Sequence, residues 1–209
     1  MIILENVKVY GWEESVRGMR NPMNSWEKRD STFGEEMELG PNDMELMRKL
    51  RRAGRDHRKF MRMIVVSLDI TAPLYWWKEF DTYKVGTVVN SCSTMHTLHK
   101  RDLELCDFSK EYLLEGTSLD VLEETIRAIN RFRHIYLATG CKEKTYWHKM
   151  IQLLPSSYNQ TRTVMLNYEV LANIYAARKE HKLDEWRKMC SWMEKDLPMA
   201  ELITGKVED

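Results

Sequence analysis

Residues 154–188 read LPSSYNQTRTVMLNYEVLANIYAARKEHKLDEWRK, and this stretch has the most informative helix pattern in the chain. Hydrophobic residues recur at helical spacing over residues 164–181, which predicts one long helix. Asn167 and Arg178 are eleven positions apart, so at about 100° per residue they lie within roughly 20° of one face. Asn173 lies on a flank about 120° away. The three residues are therefore either surface positions of an amphipathic helix or a polar ridge that borders the core.

Other elements are predicted upstream and downstream of this helix. Residues 2–10 and 61–70 are rich in β-branched residues and predict two strands, the second of them central. Thr71-Ala72-Pro73 predicts the start of an aromatic helix, because proline is favoured in the first helical turn. Four more helices are predicted: MELMRKLRRA, capped at Asn42-Asp43 and ended by Gly54; the helix from the capping box at residues 117–120 to Gly140; KEKTYWHKMIQLL, ended by Pro155; and LDEWRKMCSWMEK. Together they predict an α+β fold, with helices packed on a central sheet in a single domain over residues 1–209.

Composition and charge narrow the class of protein. The chain has 209 residues, a mass of 24.9 kDa and a formal net charge of zero, so no global field attracts it to nucleic acid or anionic membranes. No apolar run approaches the roughly 20 residues that a membrane span needs, and the N-terminus MIILENVKVYGWEES lacks a signal-peptide pattern. The four cysteines are widely spaced and form no CxxC pair. These features predict a cytoplasmic protein with reduced thiols and no membrane partner.

Two clusters of side chains suggest more specific chemistry. Residues 49–62, KLRRAGRDHRKFMR, form either a phosphate or RNA contact surface, or a solvated helix face followed by a polar loop. His96, His99 and Cys106 could supply zinc ligands, but their spacing matches no common zinc signature, so we predict no metal site. The sequence contains no GxGxxG, Walker or GxSxG motif, which excludes the usual phosphate-binding loops and the hydrolase nucleophile elbow.

Residues 154–188 resemble the C-terminal part of the flavin-dependent thymidylate synthases. That family has a Leu-Pro pair, a stretch often containing Thr-Arg, an Asn, a second Asn six residues on, and an Arg after five more. The matching residues here are Leu154-Pro155, Thr161-Arg162, Asn167, Asn173 and Arg178. Upstream, VSLDITAPLYWWKEF resembles the strand, Ala-Pro pair and aromatic helix that lead into the family signature. His57 and Arg20 also have counterparts, so the resemblance spans nearly the whole chain at low identity.

The resemblance implies a cofactor, a reaction and a set of site residues. The family's members are homotetramers with FAD at subunit interfaces, and they methylate dUMP with methylenetetrahydrofolate as carbon donor and NADPH as reductant. Reduced flavin carries the carbon and the hydride there, so no protein cysteine attacks the uracil. The implied flavin-binding residues are His57, Lys84, Asn90, Asn167 and Asn173, and the implied nucleotide-binding residues are Ser93, Lys149 and Arg178. Ser93, in the pyrimidine pocket, is the candidate catalytic residue.

The chain departs from the family at its signature. Anchored on Ala72-Pro73, the family's Arg-His-Arg corresponds to Thr82, Tyr83 and Lys84. Further along, Thr87 occupies the position of the first Ser, and Asn90 and Ser93 match the signature after one inserted residue. Two more arginines are absent, because Met95 replaces the final Arg of the signature and Ile151 replaces the Arg of the family's ARxxLP. A charged hydrogen bond contributes about 1.5–3 kcal/mol, so losing several arginines weakens nucleotide binding by orders of magnitude unless other cations replace them. The candidate replacements are Lys84, Lys149 and residues 49–62.

The sequence therefore supports three hypotheses. In the first, a divergent member of the family binds FAD and transfers one carbon reductively to dUMP or a related pyrimidine deoxynucleotide. In the second, a catalytically lapsed homologue keeps the fold for binding nucleotide or flavin, or for assembly. A homologue that no longer uses flavin is expected to purify colourless and to take up no FAD. In the third, residues 49–62 contact RNA, which predicts steeply salt-dependent binding.

Overall fold

The fold is α+β in a computed structural model that describes residues 1–34 and 37–206, and the predicted fold class is confirmed. Six strands are described: β1 (Ile3–Tyr10), β2 (Thr32–Phe33), β3 (Met37–Glu38), β4 (Val65–Pro73), β5 (Thr87–Ser91) and β6 (Asn159–Asn167). The main sheet has the strand order β1-β4-β6-β5. Strands β2 and β3 form a separate antiparallel pair, in which Thr32 faces Glu38 and Phe33 faces Met37.

The described residues also form nine α-helices. These are α1 (Trp12–Arg20), α2 (Pro41–Arg52), α3 (Leu74–Phe80), α4 (Thr94–Thr97), α5 (Gly116–Ala138), α6 (Lys144–Leu153), α7 (Tyr168–Arg178), α8 (Asp184–Lys195) and α9 (Glu201–Thr204). Short 3-10 helices lie at Asn21–Met23, Trp26–Lys28, Arg58–Arg62 and Leu105–Asp107. The predicted helices that correspond to α3, α6 and α8 are confirmed, and Pro73 stands at the N-cap of α3.

The chain divides into two compact units. The first unit contains Met1–Leu4, Ile70–Thr82 and Asn90–Thr163. The second unit contains Glu5–Asp69, Tyr83–Val89 and the residues from Val164 on. The single domain over residues 1–209 stays a prediction.

Strand β4 begins later than the sequence indicated. Its burial alternates along the strand, with Val66, Leu68, Ile70 and Ala72 buried, as expected when successive side chains point to opposite faces of a sheet. The predicted strand over residues 61–70 was wrong at its start, because Met61 lies in the 3-10 helix Arg58–Arg62. Apolar character alone does not separate a buried helical turn from a strand.

The long helix predicted over residues 164–181 was wrong at both ends. Residues 164–167 are the last residues of β6, where Val164 and Leu166 are buried while Met165 between them is exposed. This period of two is that of a strand, so the helix begins only at Tyr168. It ends at Arg178, four residues after Ile174, its last fully buried aliphatic residue.

Two predicted helix caps were also wrong. Helix α2 begins at Pro41, and the carboxylate of Asp30 accepts the backbone N–H groups of Asn42 and Asp43 at 2.8 and 3.0 Å. Helix α5 begins at Gly116 rather than behind a capping box, and the Ser118 hydroxyl donates to the carbonyl of Glu115. A group outside the predicted motif therefore caps α2, whereas the N-cap residue of α5, Glu115, makes no side-chain capping hydrogen bond.

Each unit has its own apolar core. In the first unit α5 and α6 pack together over a cluster of buried side chains, which are Leu98, Leu103, Phe108, Leu122, Ile126, Ile129, Tyr136 and Met150. In the second unit Tyr168, Leu171 and Ile174 of α7 are fully buried, as are Trp186 and Met189 of α8. Helix α7 is thus buried around most of its circumference, and any polar residue on it is placed by the core around it.

Candidate functional site

Helix α7 positions three predicted site residues. Asn167 is its N-cap, and its Oδ1 accepts the backbone N–H of Val170 at 3.1 Å. Asn173 lies half-buried in the middle of the helix, and Arg178 lies half-buried at its last position. The predicted shared face of Asn167 and Arg178 was wrong, since Asn167 has extended backbone and precedes the helix.

The segment Tyr83–Val89, which contains part of the altered signature, packs closely on the start of α7. Gly86 has φ +77°, and a Cβ added there would lie 2.9 Å from Nδ2 of Asn167 and 3.2 Å from Cγ2 of Val170. Only glycine fits such an approach without strain. The backbone around Gly86 is therefore held against the N-cap of α7.

The same segment also contacts the end of α7 through an aromatic cluster. Nε of Arg178 donates to the Tyr83 hydroxyl at 3.0 Å. The Arg178 guanidinium lies 4.8 Å from the ring centroid of Trp186 and 5.8 Å from that of Tyr83, and the two rings are 6.0 Å apart. We call these three residues the Arg178 cluster. They enclose a cation between aromatic faces, an arrangement in which the charge is attracted to both rings.

A second group of charged residues surrounds Asn173. Nη2 of Arg58 donates to Oδ1 of Asn173 at 3.1 Å, and Nε of Arg58 lies 3.5 Å from a carboxylate oxygen of Glu169. Arg62 donates to the same carboxylate. We call Arg58, Arg62, Glu169 and Asn173 the Glu169 cluster. It fixes the direction of the Asn173 amide, so that its Nδ2 is left as a donor without a partner among the described residues.

The Glu169 carboxyl is charged at neutral pH. Its burial alone would raise its pKa, but the hydrogen bond from Arg62 and the charges of Arg62 and Arg58 outweigh that effect. The pKa of Glu169 therefore lies below its ordinary value. The α7 segment thus contains one buried anion, held by two cations from the 3-10 helix Arg58–Arg62.

Only some of the cations in residues 49–62 form ion pairs or hydrogen bonds with other described residues. Arg51 donates to the carbonyls of Leu202 and Ile203, and Arg58 and Arg62 contact Glu169. The exposed members without an ion pair among the described residues are Lys49, Arg52, Arg55 and Lys59. His57, a predicted flavin ligand, is exposed between Arg55 and Lys59. The neighbourhood of His57 is therefore cationic.

Three predicted site residues belong to the first unit. Asn90 is exposed on β5, and Ser93 is the half-buried N-cap of α4, where its carbonyl accepts N–H groups from the following turn. The ammonium of Lys149 lies 5.1 Å from the ring centroids of both Phe132 and Tyr146. The other predicted residues, His57, Lys84, Asn167, Asn173 and Arg178, all lie in the second unit.

Two arginines that match the family are engaged in contacts within their own unit. Arg20 is buried and pairs with the buried Asp43 at 2.6 Å. Arg162 lies 4.2 Å from the ring centroid of Trp77 and donates to Asp81 at 2.8 Å. Neither contact depends on a ligand, so both arginines stabilise the fold as described.

Sequence reasoning missed the partners that hold the site residues. The sequence marks Tyr83 only as a departure from the signature and Arg58 only as one of several cations in residues 49–62, and it does not mark Trp186 or Glu169 by any motif. The run LNYEVLA did contain a usable signal, because an acidic residue within an apolar helix is buried only when a cation pairs with it. The identity of that cation is a tertiary fact with no local pattern.

Other features of the described residues do not form a rival site. A cavity of about 540 Å³ in the second unit is lined mainly by α8, α9 and their connection, and includes no predicted site residue. Four of its five charged residues pair with one another, Arg48 with Glu201 and Lys206 with Glu194. No cluster of three His, Cys, Asp or Glu residues suited to a metal occurs in the part of the chain described. None of the described helices combines the length and apolarity needed to cross a membrane.

Comparison with known proteins gives a fold but no close relative. No protein-family model matches the sequence, and no curated protein matches it. Among solved structures, the chain is similar to the flavin-dependent thymidylate synthase ThyX from Helicobacter pylori complexed with FAD and dUMP. The identity is 17%, the TM-score is 0.69, and the match covers 97% of this chain and 96% of that one.

A second kind of enzyme has a related structure. The UMP/dUMP methylase PolB from Streptomyces cacaoi, bound with 5-Br dUMP, matches at 16% identity and a TM-score of 0.60 over 93% of this chain and 88% of its own. At such identities the likeness shows the fold alone. The chain therefore has the fold of the flavin-dependent thymidylate synthases.

Proposed function

We propose that this protein binds FAD and a pyrimidine deoxynucleotide, dUMP or a close relative, and transfers one carbon to the pyrimidine reductively. The observation that supports this most is the placement of Asn167, Asn173 and Arg178 at the start, middle and end of α7. Neighbouring residues hold each of these side chains in a defined direction, as a binding site requires.

The donors near α7 fit a flavin dinucleotide. The hydroxyl of Thr87 is buried without a hydrogen-bond partner among the described residues, and Nδ2 of the half-buried Asn173 has no partner among them either. Buried polar atoms of this kind usually have a partner, so a ligand with carbonyl and phosphate oxygens suits them. In this proposal His57, Lys84, Asn90, Asn167 and Asn173 hold FAD, and the cations around His57 offset its pyrophosphate charge.

The proposed chemistry needs no thiol nucleophile. When bound and reduced, the flavin supplies the hydride and carries the carbon unit. Burial raises the pKa of the Cys190 thiol to about 11, so this cysteine of the second unit stays protonated and unreactive at neutral pH. The protein's own residues orient the two ligands and exclude water.

Nucleotide binding is assigned to Arg178, Ser93 and Lys149. An arginine suits this role because its planar fork can form paired hydrogen bonds to a phosphate or a carbonyl edge. Ser93 is the candidate catalytic residue in the pyrimidine pocket, and Lys149 replaces an arginine as a point charge. We further propose NADPH as reductant, methylenetetrahydrofolate as carbon donor, a single domain and a cytoplasmic location.

The proposal includes a homotetramer. Val85 and Val88, beside and within β5, are 91% and 71% exposed. Exposed apolar side chains along a strand are a liability in a monomer, because such an edge tends to pair with other chains. A second copy of the chain would cover them.

The first test is the visible absorption spectrum of the purified full-length protein, before and after FAD is added and the excess removed. A retained flavin spectrum is expected, and Asn173→Ala should lower FAD affinity about tenfold by removing one anchoring amide and disturbing Arg58. The matched control is Asn42→Ala, because Asn42 is an exposed asparagine of the same unit and lies far from Asn173 in the sequence.

A featureless spectrum from folded protein would favour the lapsed homologue. One observation supports that second candidate: arginines of the family signature are replaced by Thr82, Lys84 and Met95. If flavin does bind, complementation of a thymidine-requiring strain tests whether dUMP is the substrate. Growth supports thymidylate synthesis, and failure by flavin-loaded protein points to another pyrimidine.

The RNA hypothesis has its own observation and its own test. Lys49, Arg52, Arg55 and Lys59 are exposed and have no ion pair among the described residues. Fluorescence anisotropy with a labelled RNA at several salt concentrations measures whether affinity falls steeply with salt, as phosphate contacts require. Binding that is absent at low salt would reject this alternative.

A further inference from the structure

Tyr83 stands where the flavin-dependent thymidylate synthases have the histidine of their signature, and its hydroxyl contacts Arg178. The contact is a hydrogen bond of 3.0 Å from Nε of Arg178. Because Nε lies at the base of the guanidinium plane, a partner at this atom fixes the direction in which the two Nη groups extend.

Trp186 restrains the same guanidinium from one face. Its ring is fully buried and its centroid lies 4.8 Å from the guanidinium carbon. The Tyr83 ring meets the Trp186 ring edge-on, at 6.0 Å and an interplanar angle of 67°. A plane that is held at one atom and against one face has little rotational freedom left.

Tyr83 is itself held by the backbone that follows it. The N–H of Thr87 donates to the carbonyl of Lys84 at 3.4 Å, which closes a turn, and Gly86 lies against Asn167. The tyrosine is thus anchored three residues away on the first turn of α7, while its hydroxyl reaches the last. Lys84 and Val85 between these anchors are exposed.

We propose that Tyr83 is a positioning residue that presets the Arg178 guanidinium for an anionic nucleotide. The inference rests on the proposed nucleotide role of Arg178. A preset arginine loses less side-chain freedom when the ligand binds, so part of the affinity comes from Tyr83 without any contact between Tyr83 and the ligand. The altered signature then contains a tyrosine with a function of its own.

The test uses Tyr83→Phe in the full-length protein, since it removes the hydroxyl and keeps the ring. We expect the Kd for dUMP, measured by isothermal titration calorimetry, to rise about fivefold to tenfold, the size expected when binding must again order one long side chain. The Kd for FAD should stay unchanged, and the melting temperature should fall by only about 2–4 °C, because the same hydrogen bond is lost from the ligand-free fold. Tyr10→Phe, a half-exposed tyrosine of the same unit, is the matched control.

A second readout separates this inference from the nucleotide proposal. The Nε–H resonance of Arg178, assigned by its loss in Arg178→Lys, should be protected from exchange with water in the wild type and exposed in Tyr83→Phe. If the wild type binds no dUMP, the nucleotide role fails and this resonance alone decides whether Tyr83 holds the guanidinium. Unchanged exchange in Tyr83→Phe, or unchanged dUMP affinity in a wild type that binds it, overturns the proposal.

Discussion

At the scale of single residues, the second unit contains one buried carboxylate that two guanidinium groups share. Burial raises the pKa of Glu169, but hydrogen bonding and charge from Arg62 and Arg58 lower it further than burial raises it. The folded-state pKa is therefore below the unfolded value of about 4.3. This stabilisation is fully present above that value and is lost as the pH falls through the folded pKa.

Glu169→Gln should destabilise the fold by about 3 kcal/mol at pH 7, since it leaves the half-buried Arg58 without a counter-charge. The loss of the exposed Arg62 pair adds little. Urea unfolding at several pH values measures the difference between variant and wild type, which should shrink below about pH 4.

Glu180→Gln, an exposed glutamate just beyond α7, is the control for that series and should leave the free energy of unfolding unchanged. Asp43, Asp107 and Glu194 also have lowered pKa values and weaken the wild type in acid. Only the variant-minus-wild-type difference therefore reports on Glu169. A difference that stays constant with pH would mean that Glu169 is not the charged partner described above.

Gly86→Ala should destabilise the protein by about 2–3 kcal/mol through both backbone strain and a clash with Asn167. Gly54→Ala is a matched comparison, because Gly54 has φ +99° in the same unit but open space around its Cβ position. It should cost only about 1 kcal/mol, the part due to backbone strain. If thermal or urea unfolding shows the same loss of stability for both variants, the contact between Gly86 and α7 contributes nothing to stability.

At the scale of elements, α7 shows what the sequence could and could not reveal. The existence of α7, and the positions of Asn173 and Arg178 on it, followed from the spacing of residues alone. Its start did not, because Val164 and Leu166 suit a strand and a helix equally well, and only the pairing of β6 in the sheet decides between them. The same ambiguity between strand and helix made the predicted start of β4 wrong.

Asn167 has two roles that different substitutions separate. Asn167→Ala removes the cap and should destabilise the protein by about 1 kcal/mol, whereas Asn167→Ser keeps a capping oxygen and should not. If Asn167 also binds flavin, both variants should lose FAD affinity, because both lack the amide. Unfolding curves and FAD titrations on the two variants measure these effects, and normal FAD binding by Asn167→Ser would limit Asn167 to capping.

At the scale of the whole molecule, the fold class was accessible from the sequence, and the site only in part. The Asn167, Asn173 and Arg178 pattern pointed to a fold that the solved structures share at 17% identity. The residues that hold this pattern in place were not accessible, because Arg58 approaches Asn173 from 115 residues away, and Trp186 reaches Arg178 only when α8 folds back onto α7. Neither their spacing nor their type marks them before the chain has folded.

Val88→Lys should lower the native mass of the protein if the exposed face of β5 is covered by another copy. A charge at the centre of such a contact would be buried without a partner. Native mass spectrometry measures the effect, with Val121→Lys, at a 59% exposed valine of α5, as the control that should leave the mass unchanged. A wild type that is already monomeric would reject the homotetramer.

The turn between Tyr83 and Gly86 has a consequence for how this chain diverges from its structural neighbours. Its two end residues are fixed by contacts with Arg178 and Asn167, while Lys84 and Val85 between them face solvent. Selection for folding acts here on the path of the backbone, because Gly86 is the position where a side chain would collide with α7. We expect relatives of this chain to keep the glycine, and to change at Lys84 and Val85 only as far as the proposed flavin site and subunit contact allow. Such relatives would keep the fold even where the family's sequence signature can no longer be recognised.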